Sequence, residues 1–481
     1  MQNTDVSLPR KSPEELGISS KNVIGFLDGL KAHNIELHSF MFLRHGNVAV
    51  EGWWSPYAPE LPHMLFSLSK SFTSTAIGMA VHEGILTLDD QVISFFPEDL
   101  PEEVSHHLAA MQIRHLLMMG TGHDTDTMDA LHEAVDGNWV KAFLSLPVDH
   151  EPGTHFLYNT GATYMLSAIL QKASGQNLLQ FLHNRLFEPL GIQHPTWETC
   201  PRGIHTGGFG LNITTEDIAK FGQLYLQKGM WQGQRLIEEQ WIDEATSKQI
   251  SNGDGGDSDW AQGYGYQFWR CRHGVYRGDG AFGQFCIVLP EHDAVIAMTS
   301  GTNDLQGVLN VVWEHLLDAL LPEAVDADEW SGELKERLEQ LHLEPPQIAL
   351  DSLRESQISG RTYKLEENEL KIDNLSIEFD EDAAVLTLQG LDGEHVLKLG
   401  RHHWIIGQSQ FFNRQDGYFA GSFTWRTTEA LLLTIRGIET PFCLSLEAQY
   451  QDEDTLEIQQ GINVSFGPTE GKPILGRASM E

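Results

Sequence analysis

The chain has 481 residues, more than one ordinary hydrophobic core accommodates, so its length indicates two domains or one large domain with an appended module. Its 68 acidic residues against 31 basic ones give a net charge of −37, which argues against nucleic-acid and membrane partners. The polar start and the lack of a membrane-spanning apolar run predict a cytoplasmic protein. Four scattered cysteines predict reduced thiols rather than a zinc site or a disulfide framework.

The first predicted elements precede a short serine-rich stretch. Residues 12–15 have the composition of a helix opening, and residues 21–32 carry apolar side chains at helical spacing. Two extended runs, residues 38–44 and 47–53, are separated by His45-Gly46, which is typical of a β-hairpin. The hairpin therefore places strands just before residues 66–72.

Residues 66–72 contain the sequence Ser-x-x-Lys, from Ser67 to Lys70, at the start of an apolar run that continues to residue 82. If a helix begins at or just before Ser67, both side chains lie one turn apart on the same face. A lysine whose pKa is lowered by burial can take the serine proton and so activate the hydroxyl as a nucleophile. On this motif alone, an N-cap serine beside an exposed lysine is the favoured interpretation.

Tyr158 lies in a turn-rich loop, residues 151–161, that leads into a helix predicted over residues 162–173. A tyrosine held at a helix start can project into a cleft, although an ordinary half-buried tyrosine is the alternative. Residues 207–210 are rich in glycine but lack the lysine and the preceding strand of a phosphate-binding loop. We therefore assign them no nucleotide.

From residue 264 onward the pattern predicts strands and then a helix over residues 304–320. The predicted fold class is α+β, with one antiparallel sheet flanked by helices and a mostly helical insertion. This domain is predicted over residues 1–321, and the acidic residues 322–346 are the predicted linker. Short alternating runs over residues 347–481 predict an all-β sandwich or a small up-and-down barrel, and of these we favour a C-terminal β-barrel or lipocalin-like domain.

Three motifs occur in a familiar order: Ser67-x-x-Lys70, a tyrosine at a helix start, and a glycine-containing strand near residue 280. Together with the flanking sequence of residues 83–90, they make about the first 320 residues resemble the serine β-lactamase and penicillin-binding-protein superfamily. The resemblance is to its class C-like branch of esterases, D-aminopeptidases and amide hydrolases. It implies a β-lactamase/transpeptidase-like fold, a small ester, amide or peptide substrate, and no metal or organic cofactor.

The same resemblance implies roles for single residues. Ser67 is the expected nucleophile, with Lys70 and Tyr158 as a proton relay. The expected oxyanion donors are the backbone N–H groups of Ser67 and of Ala281, the latter on an edge strand. Gly280 is expected there because a substrate backbone must approach closely.

Two positions depart from the family pattern. The second motif is usually Tyr-x-Asn, and here Thr160 holds the third position, so Asn159 is expected to supply the amide. The third motif usually begins with a cation, and here Asp279 stands in its place. Arg277, on the same strand face, either neutralises Asp279 or replaces the missing lysine.

Several alternatives stay open from the sequence. A β-lactamase or D,D-peptidase proper would use the same motifs, and a catalytically silent relative would keep the fold as a ligand-binding module. An α/β-hydrolase would need Gly-x-Ser-x-Gly, which the sequence lacks. The natural substrate and the formation of a homo-oligomer are not determined by the sequence.

Overall fold

The computed structural model describes residues 6–348, 352–391, 393–412 and 417–479. The strands of its first part are β1 (Leu37–Arg44), β2 (Asn47–Trp53), β3 (His63–Met64), β4 (Thr196–Trp197), β5 (Leu211–Ile213), β6 (Met230–Trp231), β7 (Gln234–Arg235), β8 (Trp269–Arg270), β9 (Tyr276–Gly280), β10 (Gln284–Leu289) and β11 (Ala294–Ser300). The α-helices of the described residues are α1 (Ser20–Ala32), α2 (Ser69–His82), α3 (His106–Ala110), α4 (Ile113–Leu117), α5 (Met128–His132), α6 (Trp139–Ser145), α7 (Thr160–Ser174), α8 (Leu178–Leu182), α9 (Glu188–Leu190), α10 (Thr215–Leu226), α11 (Glu239–Thr246), α12 (Leu305–Val311), α13 (Glu329–Glu339) and α14 (Arg354–Ile358).

The central sheet is antiparallel and has the strand order β2-β1-β11-β10-β9-β8. Every residue of β1 and β11 is buried, because both faces of the sheet are covered. Phe40 and Ile296 pack on one face with α1 and α12, whereas Met41 and Ala297 face the helical insertion. The predicted sheet, built from both ends of the first part and interrupted by helices, is therefore confirmed.

The C-terminal part is a closed barrel. Its strands are β12 (Thr362–Leu365), β13 (Ile372–Phe379), β14 (Ala383–Gly390), β15 (Gly393–Arg401), β16 (Ile405–Ser409), β17 (Gly417–Trp425), β18 (Ala430–Gly437), β19 (Cys443–Tyr450), β20 (Thr455–Ile462) and β21 (Ile474–Ala478). A parallel pairing of β15 with β17, at Ser422 and Phe423, closes the ring, and β16 pairs with the preceding residues 417–421 of the same edge of β17. Alternate residues such as Leu386, Leu397 and Leu446 fill its core. The predicted C-terminal barrel is confirmed.

The barrel contacts the first part beside β3. The guanidinium of Arg436 pairs with Glu36 at 2.6 Å, and Tyr57 donates a hydrogen bond to the carbonyl of Thr440 at 3.0 Å. The backbone N–H of Met64 donates to the carbonyl of Glu439 at 2.9 Å. Met64 lies three residues before Ser67, so the barrel is attached directly to the segment that leads into the serine.

The predicted linker, residues 322–346, contains helix α13. That helix packs on α1 and β2, and Arg337 pairs with Asp28 at 2.6 Å. The domain boundaries stay a prediction, since the segment between the two parts is itself packed on the first of them. Of the helices within the described residues, none has the length and apolarity needed to cross a membrane.

Candidate active site

Ser67 lies in a single 3-10 turn, Phe66–Leu68, that leads directly into α2. The side-chain nitrogen of Lys70 lies 2.9 Å from Ser67 Oγ and 2.9 Å from the carbonyl oxygen of Gly208. It also contacts Thr160 Oγ1 at 3.3 Å. The Lys70 side chain is only 1% exposed, which argues against the N-cap serine beside an exposed lysine.

Burial controls the protonation of Lys70. Loss of hydration lowers the pKa of Lys70 from its usual 10.5 to about 7, against the opposing effect of Asp126 and Asp279. Near neutral pH a large fraction of Lys70 is therefore an uncharged amine. An amine 2.9 Å from the hydroxyl can accept its proton.

Tyr158 covers the same lysine. Lys70 Nζ lies 4.8 Å from the centre of the Tyr158 ring, and that ring stacks on Trp269 at 5.2 Å. Burial and the charge of Asp279 raise the pKa of Tyr158 well above its usual value, and a hydrogen bond with Ser67 opposes them. Tyr158 is thus a neutral phenol at pH 7 and can donate a proton, whereas an uncharged Lys70 can accept one.

Arg277 and Asp279 form a buried ion pair. Arg277 Nε donates to Asp279 Oδ2 at 3.0 Å, and Arg277 Nη2 lies 2.8 Å from the same oxygen. Arg277 is fully buried over the ring of Trp260, and its Nη1 donates to the carbonyl of Asp259. Of the two alternatives for Arg277, the geometry therefore favours neutralisation of Asp279 over display of a free cation to the cleft.

Gly280 and Ala281 lie beside Ser67, but the strand ends at Gly280. Ala281 belongs to the following turn, not to the edge strand as expected, because its carbonyl accepts from Gln284 in a tight reversal. A Cβ on Gly280 would lie 2.1 Å from the carbonyl oxygen of Leu65. The glycine is thus required first by the approach of the protein's own backbone, whereas the sequence suggested only the approach of substrate.

The side chain of Asn159 does not join Ser67, Lys70 and Tyr158. Its Oδ1 accepts from the backbone N–H and the hydroxyl of Thr127, at 3.2 and 2.8 Å, and it is fully buried. Its amide nitrogen lies 3.4 Å from Thr121 Oγ1. The expectation that Asn159 presents its amide to substrate is therefore corrected: the amide holds the loop that carries Asp126, and Thr160 faces the cleft.

A cavity of about 850 Å³ opens over Ser67. Its lining is acidic and aromatic, and among the described residues that line it there is no lysine or arginine. The acidic members are Asp126, Asp129, Glu198 and Asp279, and the aromatic ones include Phe209, Trp260 and Trp269. Such a lining favours cationic or neutral groups over anions.

The barrel contributes residues that the sequence did not indicate. Phe466 lines the cavity, and its ring lies 6.0 Å from that of Phe66 and 4.8 Å from that of Phe282. Phe442 contacts the same two rings at 6.1 and 5.7 Å. Phe66 and Phe282 both have positive φ, 48° and 65°, and they adjoin Ser67 and Ala281. We call these four residues the phenylalanine cluster.

The comparisons with known proteins place the first part of the chain in a family. The family profile described as Beta-lactamase matches residues 26–320, more than half of the chain. The 6-aminohexanoate-dimer hydrolase of Paenarthrobacter ureafaciens is 24% identical over 287 residues, which cover 55% of this chain and 73% of that protein. The Beta-lactamase of Escherichia coli K12 is 25% identical over 217 residues, 39% of this chain and 55% of that protein.

Two solved structures are similar over both parts of the chain. The octameric penicillin-binding protein homologue from Pyrococcus abyssi has a TM-score of 0.50 at 16% identity, with 95% of this chain and 99% of that chain covered. The structure of SurE with D-Leu has a TM-score of 0.51 at 17% identity, with 94% and 98% covered. At these identities the likeness concerns the fold alone. By the match over residues 26–320, the chain belongs to the Beta-lactamase family.

Proposed function

We propose that this protein is a serine hydrolase that cleaves an ester or an amide, including short D-amino-acid peptides, through an acyl-enzyme on Ser67. The observation that carries the proposal is the 2.9 Å contact between Ser67 Oγ and the buried amine of Lys70. The 6-aminohexanoate-dimer hydrolase among its relatives supports hydrolysis of an amide-like bond as the reaction class.

In the proposed first half-reaction, neutral Lys70 takes the Ser67 proton as Oγ attacks the carbonyl carbon. The oxyanion is stabilised by the backbone N–H groups of Ser67 and Ala281, preorganised donors of the kind whose single loss costs about a hundredfold or more in kcat. Tyr158 then gives its proton to the leaving nitrogen or oxygen and regains one from the Lys70 ammonium. The products are the acyl-enzyme, the free amine or alcohol, and a neutral Lys70.

In the second half-reaction a water molecule attacks the acyl carbon. The Lys70 and Tyr158 pair accepts the proton of that water and returns one to Ser67 Oγ when the acid departs. The charges and protons balance over the cycle, so no step calls for a metal or an organic cofactor.

The charges that line the cleft favour neutral or amine-bearing substrates. Asp126 lies close enough to Lys70 to raise its pKa, so its charge also acts on the space over Ser67, whereas the charge of Asp279 is offset by its ion pair with Arg277. A substrate carboxylate would meet Asp126, and Arg277, which is fully buried, is not available to hold it. A β-lactamase or D,D-peptidase proper is therefore the weaker candidate.

The barrel, from about residue 347, is proposed to fold as its own module and to narrow access to the cleft. Phe466 supports this role, because it is 81% exposed and yet lines the cavity. A cytoplasmic location is also proposed. It is supported by the four cysteines, all of which have free thiols.

An activated phosphonate ester tests the proposal. Intact-mass measurement should show one covalent adduct on the wild-type protein and none on Ser67→Ala. Ser94→Ala, at an exposed serine that is not among the residues lining the cavity, should be labelled like the wild type. An adduct of unchanged yield on Ser67→Ala would refute a nucleophilic Ser67, and the lack of any adduct on the wild-type protein would favour the silent, ligand-binding relative.

A further inference from the structure

Two loops near the cleft bring one carboxylate and two imidazoles together. Asp124 Oδ1 and His150 Nε2 lie 2.6 Å apart, and the ring of His155 stacks on that of His150 with centres 4.3 Å apart. One ligand atom from each of the three residues lies within 4.8 Å of the other two. No spacing in the sequence indicated this group, because Asp124 and His150 are 26 positions apart.

The backbone that carries these side chains is tightly joined. The N–H of His150 donates to the carbonyl of Gly122 at 2.9 Å, and the N–H of Gly153 donates to that of Gly120 at 2.7 Å. Gly122 has a φ of 90°, and a Cβ there would lie 2.2 Å from the carbonyl oxygen of His150. The contact between the loops therefore requires glycine at position 122, and it holds the backbone of His150 close to the loop that carries Asp124.

The charges on the two loops around Asp124, His150 and His155 favour the binding of a cation. Residues 120–127 and 148–157 contain no lysine or arginine, and the acidic residues Asp149 and Glu151 adjoin His150. A loop pair of this charge, in a protein of net charge −37, attracts positive ions and offers no basic side chain to compete with them.

We propose that Asp124, His150 and His155 bind one divalent transition-metal ion, for which Zn²⁺ is the best match. Imidazole nitrogen and carboxylate oxygen are ligands that suit Zn²⁺, and three protein ligands leave a fourth position for water or another ligand. Ligand atoms around one tetrahedral Zn²⁺ lie about 3.3 Å apart. The distance between Asp124 Oδ1 and His150 Nε2 must therefore increase slightly when the ion binds, and the side chain of His155 must rotate towards these two atoms.

The ion would brace the two loops that reach the cleft. Asp126, two residues after Asp124, and Tyr158, three residues after His155, both line the cavity. The proposal is nevertheless independent of the hydrolytic function, since no step of that reaction passes through the ion.

The test uses the full-length protein after dialysis against EDTA, titrated with ZnCl₂ by calorimetry and by thermal unfolding. We expect one bound equivalent and a rise in Tm of about 3 °C or more at saturation. His150→Ala, His155→Gln and Asp124→Asn should each lose affinity by about tenfold or more. His106→Ala, at an exposed histidine beside His107, is the matched control and should bind like the wild type.

Two results would overturn the proposal: no zinc binding by the wild type, or the same affinity and stoichiometry in all three ligand variants. Because 22 histidines offer weak adventitious sites, the difference between the ligand variants and His106→Ala decides the outcome. The Tm of each variant in EDTA shows whether it is folded, and the conservative changes at Asp124 and His155 keep the test valid if His150→Ala is unstable.

Discussion

Phe66 and Phe466 meet edge to face with ring centres 6.0 Å apart, although one adjoins the proposed nucleophile and the other lies between β20 and β21 of the barrel. Positive φ in a bulky residue such as Phe66 costs about 1–3 kcal/mol and persists only where the surroundings hold it. The phenylalanine cluster supplies such surroundings for the turns that carry Ser67 and Ala281. The barrel is therefore part of the scaffold of the site.

Phe442→Ala should lower kcat by about tenfold or more while KM changes little, because loosening both turns misplaces groups that act in the transition state. Steady-state kinetics with a small p-nitrophenyl ester measure this effect. Val396→Ala, at an exposed barrel position, is the control and should leave both constants unchanged. A Phe442→Ala enzyme with wild-type kcat would show that the turns hold their shape without the barrel.

Phe466→Ala should act differently, because this ring is exposed and lines the cavity. We expect kcat/KM for a bulky ester to rise a few-fold relative to that for a small one, as the opening widens. The ratio of the two kcat/KM values, compared between wild type and variant, is the measurement. An unchanged ratio would contradict the proposed narrowing of the cleft by the barrel.

Much of this fold can be predicted from the sequence, because long apolar runs such as β1 and strongly patterned helices such as α7 are recognisable from their local sequence. Strands β12 and β21 have weak local signals, because one has only four residues and the other contains Gly476 and Arg477. They pair with each other in the barrel, so tertiary contacts rather than local propensity fix them.

The candidate site likewise contains contacts that the local sequence predicts and contacts that it does not. The contact of Ser67 with Lys70 follows from helical spacing, which is local. The orientation of Asn159 towards Thr127, and the reach of Phe442 and Phe466 to the cleft, depend on segments that are distant in sequence. Such contacts have no periodic signal in a single chain.

The pH dependence of activity should report Lys70. The base must be neutral to accept a proton, so kcat/KM should rise with pH through an apparent pKa of about 7. Asp126 raises the pKa of Lys70, so Asp126→Asn should move this limb to lower pH. The pH profile of kcat/KM for ester hydrolysis measures the apparent pKa in the wild type and in Asp126→Asn. An apparent pKa that is the same in both would refute the effect of Asp126 on Lys70.

Stability should change with pH for the same reason. The pKa of Lys70 is lower in the folded chain than in the unfolded one, so between about pH 7 and 10 the unfolded state binds more protons and stability rises with pH. In Lys70→Met that contribution disappears. The Tm of the variant minus that of the wild type should therefore fall, and can change sign, as the pH rises from about 7 to 10. A pH-independent difference would contradict a neutral Lys70.

Lys70 and Tyr158 should behave as one unit. Because residues that act together are strongly non-additive, Lys70→Ala, Tyr158→Phe and the double variant should lose similar amounts of kcat, about a hundredfold or more each. Single-turnover acylation rates are the direct measurement. Losses that add in the double variant would assign the two residues independent roles.

Substrate preference is the sharpest test of the acidic cleft. A charge-assisted contact to a substrate carboxylate contributes about 1.5–3 kcal/mol, and the described residues that line this cleft include Asp126 but no lysine or arginine to make one. We therefore expect kcat/KM to be higher for a D-amino-acid amide and for a neutral p-nitrophenyl ester than for nitrocefin, which carries a carboxylate. Asp126→Asn should lower the preference for the amine-bearing amide over the neutral ester. If nitrocefin proves the best of the three, the carboxylate is held by Arg277 after all, and its ion pair with Asp279 must open when substrate binds.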